Sequence, residues 1–152
     1  MAILYFEDVE PGLEMTFDAV YHVTEEEIME VGNRWDPQPF HIDREAAKDS
    51  IFGGLVASSG HVFLIWVSMG NDDIDKDKAI KSVSALGFNN LQWHAPIRPG
   101  DAIKSSFRIT EARESKSRPE LGIVKSENRM FNQDNETVFT LECAFLVPKR
   151  PT

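Results

Sequence analysis

The chain has 152 residues, of which 41% are hydrophobic and 27% charged, so we expect one soluble globular domain, residues 1–152, with a core of its own. The formal net charge of −9 argues against nucleic acid as a partner, because phosphate contacts need a basic surface. The single cysteine, Cys143, cannot form a disulfide within the chain, and the N-terminus lacks the basic start of a signal peptide, so we expect a cytoplasmic protein.

The first half of the chain is predicted to be one strand followed by helices. A β-prone run from Met15 to Val23 indicates the strand. Thr24 and Glu27 are spaced as a capping box, which predicts a helix that ends at about Arg34. Asp43 is placed to cap a further short helix.

The link between these two helices carries the pattern DPQPFH, from Asp36 to His41. Prolines fix φ and disfavour helix at the residues before them, so we expect an extended turn that holds Asp36 and His41 in a set relation. A carboxylate beside an imidazole can move protons near neutral pH, which makes the pair a candidate for acid–base catalysis. A structural interpretation stays open at this point, because Asp-Pro often starts a turn and a histidine can serve packing alone.

An uncharged stretch runs from Ser50 to Asn71. Its unbroken apolar part, Val62 to Val67, is far shorter than the roughly 20 residues that a membrane span needs, so we expect no membrane association. Apolar residues on most sides indicate a buried helix, predicted from about Val56 to Met69. The charged run from Asn71 to Lys78 is predicted to be a solvated loop, because it lacks the glycine and terminal glutamate of an EF-hand calcium loop.

The second half is predicted to form four long antiparallel strands. Apolar and polar residues alternate from Ile103 to Thr110 and again from Phe139 to Val147, which is the pattern of half-buried strands. Two further runs, Ser82 to Trp93 and Leu121 to Phe131, are also strand-like, and a turn-rich cluster, NQDN, joins the last two strands. This order predicts an α+β fold in which an antiparallel sheet wraps around the buried helix.

Three motifs follow one another along the chain. They are DPQPFHID from Asp36, FGGLVASSGH from Phe52 and WHAPIRPGD from Trp93. In this order and spacing they resemble the hydratase motif, the loop into the central helix and the Pro-x-Arg-Pro-Gly-Asp turn of the MaoC-like dehydratases, close to the (R)-specific enoyl-CoA hydratases. Gln38 stands where the first motif usually has asparagine, and two serines replace the usual His-Gly pair of the second. The resemblance covers nearly the whole chain and implies a hot-dog fold with a long central helix.

The resemblance also implies a hydro-lyase of fatty acid metabolism that adds water reversibly to a trans-2-enoyl thioester, carried by coenzyme A or by a carrier protein. Asp36 and His41 would hold the water and exchange protons as a coupled pair. Free N–H groups at the start of the central helix suit the enolate oxygen, with Ser59 as the first candidate donor, then Gly60, and Ser58 third. The resemblance implies no cofactor, no metal, and a homodimer or dimer of dimers whose sheets join edge to edge.

Two other functions remain open from the sequence. A thioesterase of the same fold would direct water at the thioester carbonyl, and a non-catalytic acyl-thioester-binding module would not depend on Asp36 and His41. The pairing of these two residues favours hydration. Among the remaining residues, we expect His61 and Cys143 to pack in the core and Arg98 to pair locally, with contact between Arg98 and coenzyme phosphates as the second interpretation.

Overall fold

An antiparallel sheet dominates the computed structural model, which describes residues 3–72 and 79–152. The strands are β1 (Glu14–Thr16), β2 (Tyr21–His22), β3 (Ser84–Trp93), β4 (Ala102–Glu114), β5 (Leu121–Phe131) and β6 (Thr137–Pro148). Their order across the sheet is β1-β4-β5-β6-β3, and β2 also pairs with β4. The strand pairs are antiparallel. The four long strands predicted from the sequence are therefore confirmed, and β5 has the predicted bounds.

A 3-10 turn at Phe6–Asp8 precedes β1, and the helices lie between β2 and β3. They are α1 (Glu25–Trp35), α2 (Pro39–Ile42), α3 (Arg44–Lys48) and α4 (Ser59–Asp72). Both predicted N-cap side chains are in place, but the Glu27 carboxylate accepts the Tyr21 hydroxyl rather than completing the predicted capping box. The Thr24 hydroxyl accepts the N–H of Glu27 at 3.2 Å, and the Asp43 carboxylate accepts the N–H of Glu45 at 2.9 Å. These side chains satisfy donors that the first helical turn leaves free.

The buried helix α4 begins and ends three residues later than the predicted range of Val56 to Met69. The helix does not start earlier because the backbone N–H groups just before it are bonded to carbonyls outside the helix. The N–H of Val56 donates to the Phe40 carbonyl at 3.1 Å, and the N–H of Ala57 donates to the Ile97 carbonyl at 2.9 Å. Ser58 then caps the helix, because its hydroxyl accepts the N–H of His61 at 3.3 Å.

Two separate clusters of buried residues make the core. The larger cluster joins the inner side of α4, represented by Ile65 and Met69, to Phe139 and Leu141 of β6. The smaller cluster lies towards the other end of the long strands. It consists of Val9, Ile109, Val124 and Val147, with partly buried neighbours that include Leu4 and Phe6. The predicted α+β arrangement, a sheet packed around an apolar helix, is thus confirmed.

The first strand is broken where the sequence predicted one continuous strand from Met15 to Val23. β1 pairs with the middle of β4, and β2 pairs with its beginning. Between them the N–H of Phe17 donates to the Ser105 carbonyl at 2.9 Å, and the chain then bends at Asp18. Aspartate is depleted in strands and favours turns, which explains the break.

Strand β3 forms one edge of the described sheet, with β6 beside it. Its register with β6 shifts between Asn89 and Gln92, and Asn90 has a φ of +51°. An extra residue in a left-handed conformation is typical of a β-bulge, which bends the strand locally. Apolar side chains remain exposed along this edge, namely those of Leu86, Phe88 and Trp93.

None of the described helices is long and apolar enough to cross a membrane. The solvated loop predicted for Asn71 to Lys78 is tested only at its start, where Asn71 and Asp72 are the last residues of α4. Residues 73–78 lie outside the described residues.

Candidate active site

A cavity of about 450 Å³, here called the dyad cavity, opens where α2, the start of α4 and the end of β3 meet. It brings together Asp36, His41 and Ser59, three of the five residues predicted to form the site. Aromatic and apolar side chains supply most of the remaining lining, and a mostly apolar cleft with a few convergent polar groups is the usual form of a small-molecule site. The lining also includes Val56, Trp93, His94 and Ile97.

The turn that carries Asp36 and His41 is only partly extended. Asp36 ends α1, since its N–H donates to the Gly32 carbonyl at 2.9 Å. Gln38 is extended, but Pro39 begins the short helix α2, which contains His41. The prediction of an extended turn was therefore wrong from Pro39 to His41, because proline is well suited to the first position of a helix. The predicted outcome, a fixed relation between the two side chains, is present.

Gly32 allows α1 and α2 to come close together. A Cβ atom at residue 32 would lie 2.9 Å from the Cβ of His41 and 2.9 Å from the Cγ2 of Ile42. Both distances are shorter than real Cβ contacts, so a larger residue would push α2 away. Gly32 is not among the residues predicted to form the site, although a glycine inside a predicted helix one turn before the DPQPFH motif is a usable signal.

His41 is 5% exposed, and one nitrogen of its ring forms a hydrogen bond with the backbone. Its Nδ1 lies 2.6 Å from the Val56 carbonyl oxygen. A carbonyl oxygen can only accept, so Nδ1 carries the proton, and in the neutral imidazole Nε2 has the free lone pair. Nε2 lies 3.5 Å from Oδ2 of Asp36, a half-exposed carboxylate, and both side chains line the dyad cavity. The two side chains therefore present acceptor atoms to the same space.

The three predicted oxyanion residues occupy different positions at the start of α4. Ser58 is buried, and its hydroxyl caps the helix. Ser59 and Gly60 are exposed, and within the described part of the chain their N–H groups form no hydrogen bond. Of the three, Ser59 lines the dyad cavity. Free N–H groups at a helix N-terminus attract negative charge.

Trp93 and His94 line the same cavity, a role that the sequence did not reveal. The Trp93 indole Nε1 donates to the Ser59 carbonyl at 3.1 Å, which fixes the start of α4 against the end of β3. His94 Nε2 lies 2.8 Å from the Thr140 hydroxyl. Their position at the start of the WHAPIRPGD motif was the available signal, but only the folded chain brings that motif to α4.

The WHAPIRPGD turn braces the loop that leads into α4. The Arg98 guanidinium donates to the Phe52 carbonyl at 2.6 Å, 46 residues away, so the prediction of a local pair was wrong for this side chain. The local contact is made by its backbone, since the N–H of Arg98 donates to the Asp101 carboxylate at 2.8 Å. Gly100 has a φ of +87°, a value that favours glycine. The long arginine side chain can bind the Phe52 carbonyl because folding brings that carbonyl close to the turn.

His61, in the first turn of α4, is buried in the core, as predicted. Its Nε2 is 3.2 Å from the Glu27 carboxylate on α1, and the Tyr21 hydroxyl donates to the same carboxylate. Cys143 is buried as well, and burial raises the pKa of its thiol to about 11. A thiol with so high a pKa is a poor nucleophile at neutral pH.

The chain is similar to several known proteins. The family model described as MaoC like domain matches residues 8–129. A MaoC-like dehydratase from Rhodospirillum rubrum is 32% identical, with a TM-score of 0.85 over 98% of this chain and 99% of that one. An uncharacterized Bacillus subtilis protein, YdeM, is 28% identical over 84% of this chain and 87% of its own length.

A more distant solved structure shares the fold alone. The R-hydratase PhaJ1 from Pseudomonas aeruginosa is 18% identical, with a TM-score of 0.70 over 96% of this chain and 86% of that one. Hot-dog folds occur among the matched structures, and the sheet and central helix described above have that arrangement. The family match spans most of the chain, and the chain belongs to the MaoC-like domain family.

Proposed function

We propose that the protein is a hydro-lyase that adds water reversibly to a trans-2-enoyl thioester, giving a 3-hydroxyacyl thioester. The observation that carries the proposal is the pairing of Asp36 and His41 across the dyad cavity, with the start of α4 on the same cavity. Membership of a family that includes dehydratases supports the reaction class. No step of this reaction needs a metal or a redox cofactor.

A water molecule on the cavity side of the pair would bridge the two side chains. Oδ2 of an ionised Asp36 and Nε2 of a neutral His41 both accept hydrogen bonds, and they lie 3.5 Å apart. A water that donates one hydrogen to each would be held with its oxygen lone pair directed at the cavity. During hydration the oxygen bonds to the β-carbon, the pair removes one proton, and a proton is delivered to the α-carbon.

The negative charge that develops on the thioester oxygen requires hydrogen-bond donors. Ser59 is the first candidate through its N–H, and Gly60 is the second. Donors that are fixed before the reaction stabilise the enolate without reorganisation. The Trp93 indole, which binds the Ser59 carbonyl, would hold the first donor in place. Ser58 contributes through the helix cap rather than through direct contact.

The substrate partner in this proposal is an acyl thioester of coenzyme A or of a carrier protein, and the working unit is a homodimer. The free edge of β3 supports the dimer, because an exposed strand edge pairs readily with another chain. Exposed Leu86 and Phe88 on β3, together with Leu64 on α4, would be covered there.

Crotonyl-CoA provides the first test. The purified protein should remove the absorbance of the conjugated enoyl group without releasing free thiol. Asp36→Asn keeps the shape of the side chain but removes its charge, and it should lower the hydration rate by about 10²–10⁴-fold, the usual contribution of a positioned acid or base. Thiol release at the rate of absorbance loss would indicate a thioesterase instead. An Asp36→Asn variant as active as the parent would refute the assignment of the pair.

A further inference from the structure

The loop that joins α3 to α4, residues 49–58, contacts the dyad at Val56. The Val56 carbonyl oxygen lies 2.6 Å from Nδ1 of His41, and the Val56 N–H donates to the Phe40 carbonyl at 3.1 Å. One residue of the loop therefore binds α2 through both of its backbone groups. The position of Val56 decides that Nδ1 carries the proton, and it leaves Nε2 as the acceptor beside Asp36.

The first part of this loop, residues 51–54, is held mainly by bonds within the loop. Ile51 is 96% exposed, and Gly53 has a φ of +67°. Two glycines follow each other here, and glycine has more conformational freedom than any other residue. The N–H groups of Phe52 and Gly53 both donate to Ser50, a neighbour in the same loop. Such local bonds do not fix the loop against the rest of the fold.

Arg98 ties residues 51–54 to the rest of the fold. Its guanidinium donates to the Phe52 carbonyl at 2.6 Å. Among the described residues, this is the one hydrogen bond between residues 51–54 and a distant part of the chain. A hydrogen bond with a charged donor is about twice as strong as one between neutral groups. The bond to Arg98 is therefore the main restraint on the position of Phe52.

The backbone from which this guanidinium extends is fixed to the core. The N–H of Arg98 donates to the Asp101 carboxylate at 2.8 Å, and the Gln133 amide donates to the other oxygen of that carboxylate at 2.9 Å. Asp101 is buried, and so is Ile97, whose carbonyl accepts the N–H of Ala57. A side chain that starts from such a backbone can impose a position on the carbonyl that it binds.

Aromatic packing connects Phe52 to His41. The Phe52 ring lines the dyad cavity, and its centroid lies 5.3 Å from that of the Phe40 ring. The Phe40 centroid lies 4.5 Å from that of the His41 imidazole, at an interplanar angle of 75°. Both distances are those of packed aromatic pairs. A displaced Phe52 would therefore disturb the Phe40 ring against His41, and with it the Phe40 carbonyl that Val56 binds.

We propose that Arg98 is a positioning residue of the active site, which keeps His41 in its reactive orientation by fixing the Phe52 carbonyl. This inference rests on the proposed function and adds a residue that acts through the loop rather than by contact with the substrate. It also differs from the second interpretation drawn from the sequence, contact between Arg98 and the coenzyme phosphates. The two roles predict different kinetics.

Two thioesters separate the two roles. Crotonyl-CoA carries the phosphates of the coenzyme, and crotonyl-N-acetylcysteamine has the same acyl thioester without them. Arg98→Met keeps an unbranched side chain and removes the guanidinium. We expect kcat to fall about tenfold on both thioesters with each KM within about threefold of the parental value, because a displaced catalytic group slows the chemical step. A rise in KM on crotonyl-CoA alone would assign Arg98 to the phosphates and overturn the proposal.

Arg34→Met is the matched control. Arg34 is exposed, lies two residues before Asp36, and has its guanidinium 5.0 Å from the centroid of the Trp35 ring. None of its described contacts is with the loop. Its replacement removes the same charge near the dyad cavity, so kcat on both thioesters should stay at the parental value. Equal losses in Arg34→Met and Arg98→Met would indicate a general effect of charge and overturn the proposal.

Arg98→Lys is a milder variant that keeps the charge on a shorter side chain. Lysine lacks the planar fork of arginine, so we expect the same pattern on both thioesters with a smaller loss of kcat, of about threefold. Circular dichroism gives the folded fraction of each variant, and kcat is expressed per folded protein. Parental kcat in both Arg98 variants would overturn the proposal. If Arg98→Met does not fold, parental kcat in Arg98→Lys alone would overturn it.

Nitrogen-15 NMR of the imidazoles detects the position of His41 without any catalysis. The chain has four histidines, and the signal that disappears in His41→Asn assigns this one. The parent should carry the proton on Nδ1, as the Val56 carbonyl requires. In Arg98→Met we expect a mixture of the Nδ1–H and Nε2–H forms, and in Arg34→Met the parental spectrum.

The NMR measurement also separates the positioning role from the proposed reaction. A mixture of tautomers in Arg98→Met, combined with a parent that does not hydrate enoyl thioesters, would reject the reaction and keep the positioning role. Identical His41 spectra in the parent and in Arg98→Met would overturn the positioning role, whatever the activity.

Discussion

Two histidines of this protein look alike by distance and burial but differ in surroundings. His41 is 5% exposed and His61 is 3% exposed. Each has its Nε2 near a carboxylate, 3.5 Å from Asp36 in the first case and 3.2 Å from Glu27 in the second. A search for histidine–carboxylate pairs alone would select both.

The difference lies in what else surrounds each ring. His41 lines the dyad cavity, and the Val56 carbonyl fixes its tautomer so that a free lone pair faces that space. His61 lies between α1 and α4, and its carboxylate partner also receives the Tyr21 hydroxyl. Both histidines are buried beside a carboxylate, but of the two only His41 lines an open cavity, and access to such a cavity is what a catalytic role requires. The predictions below test this contrast.

The largest effect is expected at His41. In His41→Asn the amide nitrogen can replace Nδ1 and keep the bond to the Val56 carbonyl, while the acceptor at Nε2 is lost. Hydration of crotonyl-CoA should fall by about 10²–10⁴-fold, and the free energy of unfolding in urea should change by less than about 1 kcal/mol. A variant that keeps its activity would show that Nε2 is not needed.

The opposite outcome is expected for His61→Ala. Removing a buried ring leaves a cavity in the core, so the free energy of unfolding should fall by about 2–4 kcal/mol. The kcat of the folded fraction should remain within a few-fold of the parent. Urea unfolding and an activity assay at low temperature measure the two effects. A large loss of kcat with normal stability would contradict the contrast between the two histidines.

Gly32→Ala should lower both quantities by smaller amounts. The new methyl group would meet the Cβ of His41 and the Cγ2 of Ile42 at 2.9 Å, which displaces α2. We expect a loss of about 1–3 kcal/mol in stability and a reduced kcat, because Asp36 and His41 would no longer lie at their present spacing. Gly70→Ala is the matched control for stability, since an unobstructed Gly→Ala change inside a helix should stabilise it by up to about 1 kcal/mol. Equal stability changes at the two glycines would refute the close approach.

The smallest effect concerns Cys143. Burial raises the pKa of its thiol from 9.0 to about 11, so the folded protein keeps the thiol neutral over a pH range in which the unfolded chain ionises. This contribution to stability is present below pH 9 and is lost as the pH rises towards 11. Alkylation of the folded protein should be slow at pH 8 and accelerate up to about pH 11. Rates at pH 8 that match those of the urea-unfolded chain would contradict the burial.

Local patterns in the sequence predicted α1, the four long strands and the close approach of Asp36 to His41. Period-two alternation predicted β4 and β6, and the spacing of Thr24 and Glu27 predicted the start of α1. These features depend on residues that are close in the chain. The exact start of α4 could not be predicted, because the N–H groups of Val56 and Ala57, just before it, donate to distant carbonyls, the second to that of Ile97.

Long-range contacts account for what the sequence missed at the site. The Val56 carbonyl that selects the His41 tautomer lies 15 residues away, and the Trp93 indole reaches Ser59 across 34 residues. Arg98 was expected to pair locally, yet its guanidinium binds the Phe52 carbonyl. Local sequence patterns do not reveal which distant carbonyl a side chain binds after folding.

The fate of the water oxygen tests the central claim most directly. Crotonyl-CoA is incubated with the protein in water enriched in ¹⁸O, and the products are analysed by mass spectrometry, with Asp36→Asn in parallel. The account predicts that one ¹⁸O atom appears at the β-carbon of an intact 3-hydroxyacyl thioester, at a rate at least 10²-fold lower in Asp36→Asn. Label in the carboxylate of a released acid, or equal labelling by the parent and Asp36→Asn, would contradict it.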